Sequence, residues 1–303
     1  LPSDVSQVYQ VIATQAAAFA VADLCQSLGV SRSGYYAWRP RTPVNDPLTP
    51  QVRQVFARHA RRYGVRRVTA ELQAQGHVIG RRRVRRILRA EQLHAIQPKS
   101  FVPRTTDSRH GGRMSPNLLA GLIVTHPGQT FVSDITYLPL QNGGWAFLAT
   151  WLDLYTRQIV GWCVAATMSA DLIIRALRQA LARAQPPHGL IAHSDRGGQY
   201  VDAEYRVLLA ACGCQQSMSR AGETYDNAFA ESLFSRYKAE LLEGGAFRDL
   251  AEAQLETFDY IEGYYNPIRR HSALGYLSPD EFARAYAQKA QTELRPNQER
   301  IER

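Results

Sequence analysis

The 303-residue sequence predicts an α/β fold, a mixed-sheet core from about residue 120 preceded by all-α helix-turn-helix segments. Three observations carry this. Apolar residues recur at helical spacing through the first hundred positions. Three runs rich in Val, Ile, Phe, Tyr, Trp and Leu follow at 130–140, 145–154 and 158–166 and read as strands. Helical periodicity and short strand-like runs then alternate as far as residue 242.

Residues 8–39 form the first helical unit. Phe19, Val21, Ala22, Leu24, Cys25 and Leu28 keep helical spacing, Gly29 ends the pattern, and Ser31 suits the N-cap of a second helix carrying Tyr35, Tyr36 and Trp38. Helix, glycine turn, helix is the outline of a helix-turn-helix, though many helical hairpins share it. Pro40, Pro43, Pro47 and Pro50 punctuate a linker that closes this segment at residue 50. In the second unit, 51–97, Val65, Val68 and Leu72 lead to Gly76, and Val84, Ile87 and Leu88 form a buried stripe on a helix otherwise covered by Arg81, Arg82, Arg83, Arg85, Arg86 and Arg89. A basic linker fills 98–119.

Charge is localised. The net charge is +9, yet residues 51–113 hold 16 basic against three acidic side chains, and everything after holds 17 against 21. Fifteen of those 16 are arginines, whose forked donors suit phosphate. Such a segment is the footprint of a nucleic-acid binder; a solvated basic face is the plainer alternative. At 45% hydrophobic residues the chain can bury a core, and no apolar run nears the roughly 18 residues of a membrane helix. A soluble, unexported protein with no membrane partner is expected. Cys25, Cys163, Cys212 and Cys214 fit neither a disulfide framework nor zinc spacing and are expected as buried free thiols. The chain opens on Leu1, which leaves a processed product, a non-standard start and the downstream part of a longer polypeptide all open.

Within the core, Asn142-Gly143-Gly144 turns the first strand into the second, and Thr156-Arg157 the second into the third. A helix over 171–184 stops at Pro186-Pro187. A short strand, 190–194, ends at Asp195. A helix over 200–212, a strand over 214–218, a loop over 219–226 and a long helix over 227–242 follow. Phe229, Leu233, Tyr237 and Leu241 are the expected apolar face of that helix, with Asn227, Glu231 and Lys238 on a polar stripe and Asp226 as N-cap.

Three acids stand where a hydrophobic core does not need them. Asp134 interrupts the strand Phe131, Val132, Ile135, and a carboxylate there costs several kcal/mol unless paired or bound to metal. Asp195 ends a strand, where ligands gather in α/β sheets. Glu231 lies on the long helix. Taken singly they have plain roles: a strand-end hydrogen-bond acceptor, a turn former and a surface residue. Together they offer the converging oxygens that two hard cations require. Asp153 beside the second strand turn is expected to be structural.

Val132-Ser133-Asp134-Ile135-Thr136-Tyr137, His193-Ser194-Asp195-Arg196-Gly197-Gly198-Gln199-Tyr200 and Tyr225-Asp226-Asn227-Ala228-Phe229-Ala230-Glu231-Ser232 resemble the three catalytic blocks of bacterial insertion-sequence transposases with a DDE, retroviral-integrase-like core. The 35 residues between Asp195 and Glu231 and the position of Lys238 match that group. So do Tyr264-Tyr265-Asn266-Pro267-Ile268-Arg269-Arg270-His271-Ser272-Ala273-Leu274-Gly275-Tyr276, Pro279 and, upstream, the stretches 29–38 and 63–67. The resemblance spans roughly 15–285 and is to the second, catalytic product of two-frame elements.

The resemblance implies a ribonuclease-H-like mixed-sheet catalytic core over 120–285, followed by a polar tail, 286–303. It implies that Asp134, Asp195 and Glu231 bind two Mg²⁺, with Mn²⁺ able to substitute, and that Lys238 holds DNA near them. It implies Mg-dependent cleavage and strand transfer at element ends. The expected partners are double-stranded DNA (terminal inverted repeats and target), held by a homodimer or higher multimer in the bacterial cytoplasm, at the nucleoid. Arg66, Arg67, Arg269, Arg270 and His271 join the six arginines of 81–89 as candidate DNA contacts. His193 and His271 could instead touch metal or phosphate, or serve as structural hydrogen-bonding groups. A nuclease of the same fold that does not join strands, and a DNA-binding regulator with a vestigial core, are the competing readings. Arg82→Ala or Arg85→Ala should weaken DNA binding and flatten its salt dependence, by about 0.9 in log–log slope for each phosphate no longer neutralised. Binding titrations from low to moderate salt measure this, and an unaltered slope in both variants would remove the assignment.

Overall fold

A computed structural model describes residues 5–39, 46–98, 114–220 and 228–298. The Asp226 cap, most of the proline linker and much of the basic linker lie outside them. Helices α1 (Val5–Gln15), α2 (Val21–Ser27) and α3 (Arg32–Trp38) close over Val8, Ile12, Cys25 and Tyr35. Gly29 turns α2 into α3 at φ +67°, and the Ser31 hydroxyl caps α3 by accepting the Gly34 N–H at 3.1 Å.

The basic unit is three helices, α4 (Thr49–Arg58), α5 (Val65–Ala74) and α6 (Arg81–Ala90). Its core is Val52, Val55, Phe56, Val68, Leu72, Val84, Ile87 and Leu88. Asp46 fastens the start of α4 to α6. It is buried, accepts two 2.8 Å hydrogen bonds from Arg83 and one of 3.1 Å from Arg86, and those guanidinium groups, Arg83's foremost, hold its carboxyl far below the usual range despite burial.

The sheet runs in the order β3-β2-β1-β4-β5. Strands β1 (Thr130–Pro139), β2 (Trp145–Asp153) and β3 (Ile159–Ala165) form an antiparallel meander, and β4 (Ile191–Ser194) and β5 (Gln215–Met218) add in parallel. Alternation along β1 sends Phe131 and Ile135 to one face and Val132 and Leu138 to the other. The first face is covered by α7 (Ala170–Ala184) and α8 (Ala203–Ala211). Here a Cβ on Gly161 would come within 2.1 Å of the Ala176 carbonyl oxygen, so β3 and α7 meet only because the residue is glycine. Asp153 is structural: its carboxylate accepts the N–H groups of Gly128, Tyr155 and Thr156.

The second face carries α9 (Ala228–Leu242), α10 (Leu250–Phe258), a π-helical turn (Asp259–Tyr265) and, in the same apolar cluster, the α4–α6 unit. No sequence signal marks the π turn. It buries Tyr260, Ile261, Tyr264 and Tyr265 together. The stretch expected as a helix from residue 200 begins as a 3₁₀ turn (Gly198–Val201), because Asp202 caps α8 and starts it afresh. The final helix, α11 (Pro279–Gln298), runs through most of the expected tail, with Asp280 and Glu281 favouring its first turn. Cys212 is exposed rather than buried. On α9 the buried residues are Ala230, Leu233, Phe234, Tyr237 and Glu240, so the face is turned from the expected one, and Phe229 lies outside it under the Arg157 guanidinium, 4.3 Å from the ring centroid. Among the described residues no helix is long and apolar enough to cross a membrane.

A polar joint ties the helical unit to the core. Arg269 and Glu240, each 3% exposed, pair through bonds of 2.6 and 3.0 Å, and the Tyr260 hydroxyl donates to the same carboxylate. Arg62 reaches the Glu240 carbonyl and lies over Tyr264, Arg67 donates to the Arg270 carbonyl, and Arg270 pairs with Glu71. Arg269→Met should destabilise the fold by about 3–5 kcal/mol, since it leaves Glu240 charged without its partner. Urea unfolding measures it, and a change within about 0.5 kcal/mol would show the pair to be dispensable.

Candidate active site

Asp134 lies mid-way along β1, the strand flanked by both halves of the sheet. The two-residue period puts it on the face of Val132 and Leu138, which share a cluster with Leu233, Phe234 and Tyr237 of α9. Its Oδ1 accepts the Ile135 N–H at 2.8 Å. The parallel ladder pairs Val132 with His193, so Asp134 and Asp195, two residues further along each strand, stand abreast at the carboxyl end of β4. Asp195 Oδ1 accepts the Gly197 N–H at 3.0 Å, and a Cβ on Gly197 would sit 3.1 Å from that oxygen. Glu231 is exposed in the first turn of α9, and Lys238 is half-buried two turns on.

These charges feel one another. Burial pushes the Asp134 carboxyl well above the usual range, the negative charges of Asp195 and Glu231 push it further, and the Ile135 N–H and Lys238 pull it back. Lys238 is lowered by its burial and partly restored by Asp134. Carboxylates confined where they repel one another supply the oxygen chemistry of a divalent-cation site. Among the described residues, however, no three His, Cys, Asp or Glu side chains are gathered so as to hold a metal ion by themselves.

The walls around the two aspartates are hydrogen-bonded. Ser133 Oγ and Tyr200 Oη lie 2.9 Å apart, and burial first, then Asp195 and Asp134, keep the Tyr200 phenol protonated. His193 is buried between Ser217 (2.8 Å) and Ser219 (3.2 Å), in a structural position, and Arg196 donates to the Ser219 carbonyl at 2.8 Å. Ser133 and Tyr200 fall inside the sequence motifs, but nothing in their spacing marks them as partners.

The expected DNA contacts divide. Arg81, Arg82, Arg85 and Arg89 are exposed on α6, as is Arg66 on α5. Arg86 is exposed but reaches Asp46, and Arg83 is committed to Asp46 by a forked pair. Arg67 is half-buried in the joint. Arg269 is a correction: it lies inside the protein on Glu240. Arg270 is turned onto Glu71 and the Tyr276 carbonyl. His271 packs edge-on to Tyr265, and burial, then Arg269, depress its basicity.

Comparison with known proteins agrees with this architecture. An integrase core domain family matches residues 124–224, a second integrase core family 212–279, and an HTH-like domain 43–101, the α4–α6 unit. The chain is 40% identical over 273 residues to the insertion element IS600 uncharacterized 31 kDa protein of Shigella sonnei, covering 88% of this chain and 100% of that one. It is 38% identical over 284 residues to the transposase InsF for insertion sequence IS3A of Escherichia coli K12, covering 90% and 97%. Among solved structures, the HTLV-2 integrase catalytic core domain in complex with magnesium is similar at 14% identity and a TM-score of 0.36, over 52% of this chain and 95% of that one. The fold is thus an integrase core preceded by an HTH-like helical unit. The chain belongs to the IS3-type family of insertion-sequence transposases.

Because the folded pKa of Asp134 is raised, its charge opposes folding at every pH above that value, and the penalty fades as the pH falls through it towards the unfolded value of 3.8. Asp134→Asn should therefore raise Tm in EDTA at pH 8, with the gap closing as the pH is lowered. Thermal melts test this, and a lower Tm for the variant at pH 8 would contradict the repulsion.

Proposed function

We propose that this transposase is a metal-dependent polynucleotidyl transferase that cuts and joins DNA strands at the ends of an insertion sequence, with Asp134, Asp195 and Glu231 as its metal-binding acids. The observation that carries the reading is Asp134: a carboxylate within a buried strand, abreast of a second one and repelled by a third. Such a placement opposes stability and is sustained where a cation is to be held. The donors are hard oxygens, which suit Mg²⁺, with Mn²⁺ as a substitute. Mg²⁺ commonly takes one or two carboxylates and completes its shell with water and substrate phosphate, so no closed protein cage is required. When bound, two such ions activate the attacking oxygen and stabilise the leaving one.

The chain's own groups do the positioning. Lys238 sets a cation beside Asp134 for a DNA phosphate, and Arg81, Arg82, Arg85, Arg89 and Arg66 offer exposed guanidinium groups to the duplex. In the first step water displaces one strand end, a P–O bond breaks and a 3′-hydroxyl is left. In the second that hydroxyl attacks a target phosphodiester, one P–O bond forming as another breaks. The partners are terminal inverted repeats and target DNA, gripped by a homodimer or higher multimer that pairs the two ends, in the cytoplasm at the nucleoid.

The test is a strand-transfer assay on the full chain and Asp195→Asn, with labelled terminal-repeat DNA from the element flanking the gene, with and without Mg²⁺. Metal-dependent joined products that vanish in the variant are expected. Cleavage without joining would favour the nuclease, and binding with neither would favour a regulator.

A further inference from the structure

The parallel ladder that brings the two aspartates together ends before it reaches them. Its last pair is Val132 with His193, and both acids lie two residues further on. Past that point Asp195 leads into Arg196-Gly197-Gly198 and the 3₁₀ turn, a path that leaves the sheet. A separation between carboxylates that is to suit a cation has to be fixed by something other than strand pairing.

Just beyond the end of the ladder, Ser133 and Tyr200 meet. Ser133 is the neighbour of Asp134 on β1 and, by the two-residue period, points to the opposite face. Tyr200 closes the turn that begins at Asp195. Their hydroxyl oxygens are 2.9 Å apart, and the residues are 0% and 1% exposed. Tyr200 is itself held from three sides. Its N–H donates to the Gly197 carbonyl at 3.0 Å, its carbonyl accepts the Gln216 side chain from β5 at 2.5 Å, and its ring sits edge-on to Tyr205 of α8 at 5.8 Å. Ser133 therefore binds to an anchored group. The hydrogen bond spans the gap between the segments that carry the two acids, from beneath the sheet, where neither hydroxyl meets substrate.

We propose that the Ser133–Tyr200 hydrogen bond is a positioning device for the acidic pair: it sets the separation of the Asp134 and Asp195 carboxylates and, through it, the affinity of the site for a divalent cation. The proposal rests on the reading of those acids as metal ligands. Groups that orient ligands from behind commonly change metal affinity about 10–100-fold when removed.

The experiment is a Mn²⁺ titration of the full chain without DNA, followed by the paramagnetic resonance of the free ion, on the wild type, Tyr200→Phe, Ser133→Ala, the double variant and Asp195→Asn, each with a thermal melt in EDTA. Each single variant is expected to raise the Mn²⁺ Kd about tenfold. The double variant should bind no worse than the weaker single, because both remove the same bond. Ser133→Ala leaves the Tyr200 ring in place, so it carries the test should Tyr200→Phe not fold. Wild-type Mn²⁺ binding in the single variants, with or without a lowered melt, would overturn the proposal, as would losses that multiply in the double variant. If Asp195→Asn alone loses Mn²⁺, the acids are ligands and only the bridge is refuted. If Asp195→Asn binds as the wild type does, the metal-site reading fails and the bridge falls with it.

Discussion

Glu240 and Arg269 are both almost wholly buried, and each removes a charge from water that only the other offsets. Burial works to raise the Glu240 carboxyl, but the Arg269 charge, its two hydrogen bonds and the Tyr260 hydroxyl outweigh it and leave the group below its usual value. The pair is placed where three parts of the chain meet. Glu240 is on α9, the helix that carries Glu231 and Lys238. Arg269 follows the π turn, and the Glu240 carbonyl receives Arg62 from the basic unit. The pose of α9 against the sheet and the docking of α4–α6 against the core are thus set by one local arrangement of charge.

That joint also decides which arginines can do other work. The sequence count suggests a uniformly cationic surface. In the fold, Arg62, Arg67, Arg269 and Arg270 hold the protein together with carbonyls, aromatic rings and two glutamates, and Arg83 holds Asp46. What is left outward is concentrated on one side of α6, where the apolar stripe of Val84, Ile87 and Leu88 fixes its rotation. Separating the arginines in this way gives the unit a directional cationic face as well as a net charge.

The strands of the meander were legible to within about a residue because alternation, Asn142-Gly143-Gly144 and the Thr156-Arg157 turn are local signals. Asp134 was legible for the same reason: a carboxylate inside a strand of apolar residues is anomalous in its own neighbourhood. What was illegible depended on distant partners or on rotational phase. Arg269 finds Glu240 from 29 positions away and Arg270 finds Glu71 from 199, and no spacing rule carries that information. On α9 the expected face contained Phe229, whereas the buried set starts at Ala230. One residue is about 100° of rotation, and apolar side chains on both flanks leave the choice to the packing. The metal-site assignment itself came from the motifs together, since each acid alone had an ordinary explanation.

The π turn at Asp259–Tyr265 makes the length of this segment as constraining as its composition. A π turn holds one residue more than an α-helical turn, and that extra residue brings Tyr260, Tyr264 and Tyr265 inward together and delivers the chain to Arg269 in the right phase. Deleting a single residue here would let the helix continue regularly and swing everything after it by about 100°. Arg269 would then leave Glu240, and the error would be felt at α9 and in the basic unit together. Insertions and deletions within this stretch should therefore be far less tolerable than substitutions of comparable size, a reading-frame-like constraint imposed by helical geometry rather than by the code.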